Sequence, residues 1–197
     1  MIEYIRGEIV ELNPALMVME CSGIGYNINI SLTTYSAFNG CSEGKVFVYE
    51  VIREDAHLLY GFATGEEREL FLLLITVSGV GPNTARMILS SIPPAELMDI
   101  IASGDDISLT SVKGIGSKTA QRILVDLKGK VKTIAAVAGE RRQRIPGDRS
   151  EVAEGAVAAL VMLGFQKAAS QKAVTSILKK TPMAVVEQVI KDALKIL

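Results

Sequence analysis

The sequence contains no tryptophan, only two cysteines (Cys21 and Cys41) and a single histidine, His57. So few soft ligands cannot assemble a four-ligand zinc site, and cysteine this sparse fits a reducing compartment better than a disulfide framework. Neither sign of charge dominates, since 21 Lys and Arg stand against 22 Asp and Glu, for a formal net charge of -1. A nucleic acid or an acidic membrane would therefore have to be met by a local patch rather than by the field of the whole chain. Long apolar runs are missing as well. The longest aliphatic stretch, Phe71 to Val77, is too short to span a bilayer. The opening residues, Met1 to Arg6, lack the basic-then-apolar order of a signal peptide. The expectation is a soluble, cytoplasmic protein with no metal, no cofactor and no membrane partner.

Apolar residues, by contrast, are plentiful: they make up 49% of the 197 positions, enough for one domain or two small ones with real cores. The first sixty or so residues have a β texture, with runs at 1–12, 16–21, 26–32, 45–53 and 57–62. Asn13-Pro14, Ser22-Gly23-Ile24-Gly25, Asn39-Gly40, Glu43-Gly44 and the polar Glu54-Asp55-Ala56 punctuate them. Five strands without a long intervening helix point to a small barrel such as the oligonucleotide/oligosaccharide-binding (OB) fold, with a sandwich fragment as the competing arrangement.

From Thr64 the period changes. Leu70, Leu73, Leu74 and Val77 fall at helical spacing behind Glu66, Glu67 and Glu69, acids that suit the positive end of a helix dipole. Pro93-Pro94 opens another helix that Gly104 ends, and a longer one runs from Ser117 to about Val131. Residues 139–150 (Gly-Glu-Arg-Arg-Gln-Arg-Ile-Pro-Gly-Asp-Arg-Ser) read as a flexible linker. Beyond it, helices are expected over 151–163, 166–180 and 183–197, with Gly164 stopping the first and Pro182 opening the third.

The most informative feature is an internal repeat. Val77-Ser78-Gly79-Val80-Gly81-Pro82-Asn83-Thr84-Ala85-Arg86-Met87-Ile88-Leu89 aligns with Val112 to Leu124, thirty-five residues on, with seven of thirteen positions identical. Each copy places a Gly-aliphatic-Gly turn between two helical segments, the pattern of a helix-hairpin-helix motif. Such glycines allow a tight turn and close approach of another backbone, so amide N–H groups at the next helix's start can point at one phosphate. Contact of that kind carries no base information. A Walker A loop would need glycine at 112 and 117, where Val and Ser stand, and a dinucleotide fingerprint would need glycine at 84 and 119, where both residues are Thr. As a structural motif alone, either turn could be a plain interhelical connection; two copies in register favour the phosphate reading.

Charge supports it locally. Residues 113–132 hold Lys113, Lys118, Arg122, Lys128, Lys130 and Lys132 against Asp126, whereas residues 1–63 hold three cations against eight carboxylates. Lys118 sits beside the expected amide cluster, where its ammonium can add to the same phosphate, while Lys128, Lys130 and Lys132 read as a solvated face. Competing functions from other classes are a helix-hairpin-helix nuclease or glycosylase working through Asp105, Asp106 and Asp126, and a single-strand binder using the barrel. The first lacks an assisting His or Cys cluster. The second lacks aromatic stacking platforms, with five Phe and five Tyr in the whole chain.

Taken in order, Met1 to Glu8, Arg53-Glu54-Asp55-Ala56, Leu59-Tyr60-Gly61-Phe62, the two hairpins, the linker and Leu160 to Phe165 resemble the RuvA family of Holliday-junction branch-migration proteins over essentially the whole chain. The resemblance implies a multi-domain α+β chain. Its parts would be a five-stranded OB-fold barrel (1–63), a tandem helix-hairpin-helix domain (64–138), a flexible linker (139–150) and a three-helix, UBA-like domain (151–197). It implies a homotetramer, alone or paired into an octamer, that holds a four-way DNA junction open and flat. The partners would be the hexameric RuvB ATPase and the RuvC resolvase, and the chain itself would be nonenzymatic. Carried over residue by residue, the DNA surface would comprise Gly79, Val80, Gly81, Gly114, Ile115, Gly116, Ser117, Lys118 and Arg122. Glu54 and Asp55 would form an acidic pin, and Leu160, Leu163, Phe165 and Leu194 a partner-binding face. Two positions depart from the family pattern: Asn83, where lysine is frequent, and Phe165, where tyrosine is.

Overall fold

The structure, a computed structural model, describes residues 1–143, 149–181 and 184–197. Its strands are β1 (Tyr4–Asn13), β2 (Leu16–Cys21), β3 (Ile24–Ile30), β4 (Glu43–Ile52) and β5 (His57–Phe62), and they close a barrel in the order β1-β2-β3-β5-β4. Alternate residues face the interior, as the two-residue period of a strand requires: Met17 and Met19, Ile28 and Ile30, Val46 and Val48 are all fully buried. Every neighbouring pair is antiparallel except β3 with β5, which run parallel through Ile28–Leu59, Asn29–Tyr60 and Ile30–Gly61.

Between β3 and β4 lies a short helix, α1 (Leu32–Phe38), in the stretch where the sequence shows only the turn signals Asn39-Gly40 and Glu43-Gly44. Its start is fixed by Ser31, whose hydroxyl accepts the Thr34 N–H at 3.0 Å in the manner of an N-cap. The helix is placed by what it touches: Thr33 donates to the Leu89 carbonyl at 2.8 Å and Leu32 N–H to Ser90 Oγ at 3.1 Å.

The helices that follow are α2 (Gly65–Ile75), α3 (Pro82–Ser91), α4 (Pro94–Ser103), α5 (Asp106–Thr110) and α6 (Ser117–Gln143). Barrel and helices share one compact unit, Met1–Arg142. Phe71 of α2 is their main joint. It is fully buried, with ring centroids 4.7 Å from Phe62, 5.4 Å from Tyr60 and 5.5 Å from Tyr49, all on barrel strands. Each such aromatic pair contributes about 0.5–1.5 kcal/mol beyond its burial.

Glu67 makes a second joint. Instead of facing solvent at the helix start, it is almost wholly buried and accepts hydrogen bonds from the Ser31 hydroxyl, from Thr34 Oγ1 at 2.8 Å and from the Ala63 N–H at 3.2 Å. Burial raises its carboxyl above the ordinary range, against the opposing pull of those three donors. The folded state therefore holds this proton more tightly than the unfolded chain. Stability from this group is complete below the ordinary carboxylate pKa and falls as pH rises through the raised one. Glu67→Gln is expected to remove that loss: from pH 5 to 8 the parent's melting temperature falls relative to the variant's. Equal pH dependence of the two melting curves would show that Glu67 is not the group responsible.

The long helix outruns its expected end at Val131, and residues 139–143 of the expected linker are helical. Ala135, Ala136, Ala138, Glu140, Arg141, Arg142 and Gln143 are strong helix formers, which outweigh Gly139. Residues 144–148 of that linker lie outside the described residues. The second compact unit, Gln143–Leu197, contains α7 (Arg149–Met162), α8 (Lys167–Lys180) and α9 (Val186–Ala193) around Ala156, Leu160, Val174, Val189 and Ala193. The last helix begins later than expected, behind Val185 as N-cap; Pro182 lies outside the described residues. Gly164 ends α7 as read, at φ +98°, with Gly164 N–H donating to the Val161 carbonyl and Phe165 N–H to Leu160.

Candidate nucleic-acid interface

The two repeat copies fold alike. In the first turn Val80 N–H donates to the Val77 carbonyl at 3.0 Å, and in the second Ile115 N–H donates to Val112, also at 3.0 Å. Gly79 and Gly114 take φ of +94° and +90°, backbone that side-chain-bearing residues rarely adopt, so the first glycine of each turn serves the turn itself. The second glycine does not. Gly81 has an extended backbone at φ -87° and caps α3 without a side-chain hydrogen bond. A Cβ at Gly81 or Gly116 would meet nothing within 4 Å. Ser, Asp or Asn would cap better and their Cβ would have room, so bare glycine at both places favours something outside the chain coming close to the first-turn amides.

The structure assigns the carried-over residues different duties. Val80 and Ile115 are 4% and 5% exposed, so their side chains anchor the hairpins in the helical core, and only their backbone can face a ligand. Gly79, Gly81, Gly114, Gly116, Ser117, Lys118 and Arg122 are exposed. Arg122 reaches across to the first hairpin, with Nη1 3.2 Å from both the carbonyl oxygen and Oγ of Ser78. Among the lysines beyond the hairpin, Lys128 has its Nζ 3.6 Å from where a Gly104 Cβ would stand, beside the C-terminus of α4, a cation at the negative end of a helix dipole.

Asn83, the departure from the family pattern, accepts a hydrogen bond from the Tyr60 hydroxyl of β5 at 3.2 Å, so it ties the first hairpin to the barrel. Arg86 does the same from α3, donating to the carbonyls of Ala15 at 2.9 Å and Ile30 at 3.3 Å. Neither role can be read from the repeat, because the partners lie in the barrel: Tyr60 in β5, Ile30 in β3 and Ala15 in the turn between β1 and β2.

Glu54 and Asp55 stand exposed at the tip between β4 and β5, where Arg53 N–H donates to the Ala56 carbonyl at 2.8 Å. Just behind that tip, Glu50 accepts the Ile2 N–H at 2.6 Å and lies 3.2 Å from His57 Nε2. The Ile2 bond, more than the imidazole, holds the Glu50 carboxyl below the ordinary range. Of the acids that a nuclease would need, Asp105 is committed to capping α5: its carboxylate accepts Ser108 Oγ at 2.5 Å and the Ser108 N–H at 3.1 Å, and these bonds lower its pKa. Among the described residues no group of three His, Cys, Asp or Glu side chains is placed to hold a metal ion.

In the second unit the four apolar candidates divide. Leu160 is fully buried in the three-helix core and Phe165 packs against it, whereas Leu163 is 60% and Leu194 44% exposed. Met162, Ile196 and Leu197 join the exposed set; Leu197 belongs with Val186, Val189, Ile190, Ala193 and Leu194 to the apolar stripe that the sequence draws on the last expected helix, whereas Met162 and Ile196 lie outside it. An apolar stripe drawn on a helix does not reveal which of its members a neighbour leaves uncovered.

Comparison with known proteins bears on this arrangement. Residues 1–61 match the model described as the RuvA N-terminal domain, residues 71–130 a SAM-like helix-hairpin-helix tandem, and residues 151–197 the RuvA C-terminal domain. A Parabacteroides distasonis protein, named Holliday junction branch migration complex subunit RuvA, is 66% identical over 197 residues, all of both chains. The chain belongs to the RuvA family. RuvA proteins of the same name from Bacteroides fragilis and Christiangramia forsetii are 60% and 47% identical, each over 99% of both chains. The RuvA architecture accounts for barrel, paired hairpins and C-terminal helices in one chain, and among the described residues no helix is long and apolar enough to cross a membrane.

Proposed function

We propose that this chain is the junction-binding subunit of a branch-migration complex. Four copies, as one tetramer or two stacked into an octamer, hold a four-way DNA junction open and flat. The observation that carries this is the pair of hairpins whose second glycines, Gly81 and Gly116, leave the starts of α3 and α6 bare for no reason internal to the fold. Each hairpin takes one phosphate on its amides, and Lys118 adds charge at the second. Such contacts read backbone rather than sequence, which suits a ligand defined by its shape. Four-fold symmetry fits four arms. Glu54 and Asp55 face the crossover as the acidic pin and repel phosphates there.

In this reading the chain performs no chemistry of its own. ATP hydrolysis belongs to a RuvB hexamer, RuvC cuts the same junction, and all act in the cytoplasm. The division into 1–63, 64–138, 139–150 and 151–197 is part of the proposal, with the last segment docking the motor through Leu163, Leu194 and their exposed apolar neighbours, while Leu160 and Phe165 support that face from within. Removal of residues 151–197 is expected to leave junction affinity within about twofold, since hairpins and barrel form their own compact unit, and to abolish stimulation of RuvB. Loss of junction binding in the shortened protein would overturn that division of labour.

The deciding experiment is competition among an immobile four-way junction, a matched duplex and a single strand for the purified protein, with the mass of the complex measured. Junction preference in a complex of four or eight copies supports the proposal. Equal affinity for duplex, bound by a monomer, overturns it.

A further inference from the structure

We infer that Arg122 is a positioning residue, which locks the two hairpins into one rigid pair by gripping the turn of the other hairpin. The inference rests on the reading that both hairpins hold DNA backbone. It starts from the repeat offset of thirty-five residues, which makes Met87 the counterpart of Arg122 and Gly114 the counterpart of Gly79. The contacts are reciprocal. From α6, Arg122 Nη1 lies 3.2 Å from the carbonyl and hydroxyl oxygens of Ser78, next to Gly79. From α3, Met87 sets its Cε 3.5 Å from where a Cβ of Gly114 would be. Each copy's helix thus lays its equivalent side chain on the other copy's turn, one contact polar and one apolar.

This explains why the repeat diverges at 87 and 122, where Met faces Arg. The partner at the first turn is a hydroxyl beside a free carbonyl, which a guanidinium can take together. The partner at the second turn is bare glycine, which a flexible thioether covers. It also assigns Arg122 an occupation other than a phosphate. Two phosphate sites on one body reinforce each other only while their spacing is fixed, because a wobbling second site forfeits its effective concentration. The Ser78 carbonyl is held by a side chain from the second hairpin, so the turn carrying Val80 and Gly81 cannot tilt independently.

The test compares the full-length protein with Arg122→Lys, Ser78→Ala and the double variant. Arg122→Lys keeps the charge, but its shorter side chain cannot carry a nitrogen to the place from which Nη1 donates to both Ser78 oxygens; Ser78→Ala changes no charge. Hydrogen exchange at the Val80 amide, bonded to the Val77 carbonyl, is read without DNA. It is expected to speed up about tenfold or more in Arg122→Lys as local opening becomes easier. Junction affinity is expected to fall about tenfold with an unchanged salt slope, less in Ser78→Ala, and no further in the double variant. Unchanged exchange with a shallower salt slope would make Arg122 a direct phosphate ligand and overturn the inference, as would additive losses in the double variant. Should the parent show no preference for the junction, the functional reading fails, and the exchange rate alone still decides whether the brace exists. Arg122 is exposed, so melting temperatures within a few degrees confirm that each variant folds; if Arg122→Lys does not, Ser78→Ala carries the exchange test alone.

Discussion

Lys118→Ala weakens junction binding by the same factor whatever the sequence of the arms, and it flattens the dependence on salt. The ammonium is exposed in the first turn of α6, beside Gly116 and Ser117, where no fold-internal partner competes for it among the described contacts. Each phosphate contact contributes about 0.9 to the slope of log affinity against log salt, so one lost contact costs about eightfold near 0.1 M. In a tetramer the loss is repeated four times. The slope should then fall by roughly 3.6 and affinity by about 10³–10⁴-fold, so the same titration that tests the residue also counts the subunits engaged. Asn83→Lys is the mirror experiment. It restores a cation at the first hairpin, where the Asn83 side chain now accepts the Tyr60 hydroxyl, and is expected to steepen the slope by a similar amount. The lost hydrogen bond costs about 0.5–1.5 kcal/mol of stability. A slope that stays put in both variants would take these positions off the DNA surface.

The second large effect is one of selectivity. Glu54→Gln combined with Asp55→Gln tightens binding to plain duplex by about tenfold and narrows the gap between junction and duplex. Both carboxylates are exposed at the strand tip and form no salt bridge there among the described contacts, so their field acts on whatever approaches. Unit charges about 8 Å apart repel by about 0.5 kcal/mol in water, and a tip facing several phosphates sums several such terms. Low salt should exaggerate the difference between parent and variant, because screening removes it. Identical junction-to-duplex ratios for the two proteins across the salt range would reduce the tip to a solvated loop.

Much of this interface can be seen in the sequence because its determinants are local. A glycine-flanked turn, a proline opening a helix or a glycine ending one is written in a few adjacent residues, and the hairpins at 77–81 and 112–116 with the helix over 94–103 formed as those signals require. The five strands announced themselves by β-rich runs and the turn residues between them. What could not be read depends on residues distant in the chain. α1 has a weak helical composition, Leu-Thr-Thr-Tyr-Ser-Ala-Phe, and is held by the Ser31 cap and by bonds to Leu89 and Ser90 of α3. Glu67 reads as an ordinary first-turn acid until the hydroxyls of Ser31, the cap of α1, and Thr34 within it close over the carboxylate. Leu160, near the end of α7, and Leu163, in the turn just after it, are three residues apart, yet the first is core and the second exposed, a distinction made by where α8 and α9 pack.

The parallel seam of the barrel bears on how the chain reaches this state. The antiparallel pairs β1–β2, β2–β3 and β4–β5 join neighbours in sequence and can zip from their turns, whereas β3 must find β5 across the whole of α1 and β4, and β1 must find β4 across β2, β3 and α1. Contacts that span more chain are paid for in loop entropy before they return anything, so closure of the barrel is the late step of its folding. Gly61 guards that step. A Cβ there would stand 2.5 Å from Ile28 Cγ2 and 2.9 Å from Val46 Cγ2, so a larger residue would wedge the seam open. Until the seam shuts, β3 and β5 present unpaired edges, and a newly synthesised chain is at its most vulnerable to pairing with a neighbour there.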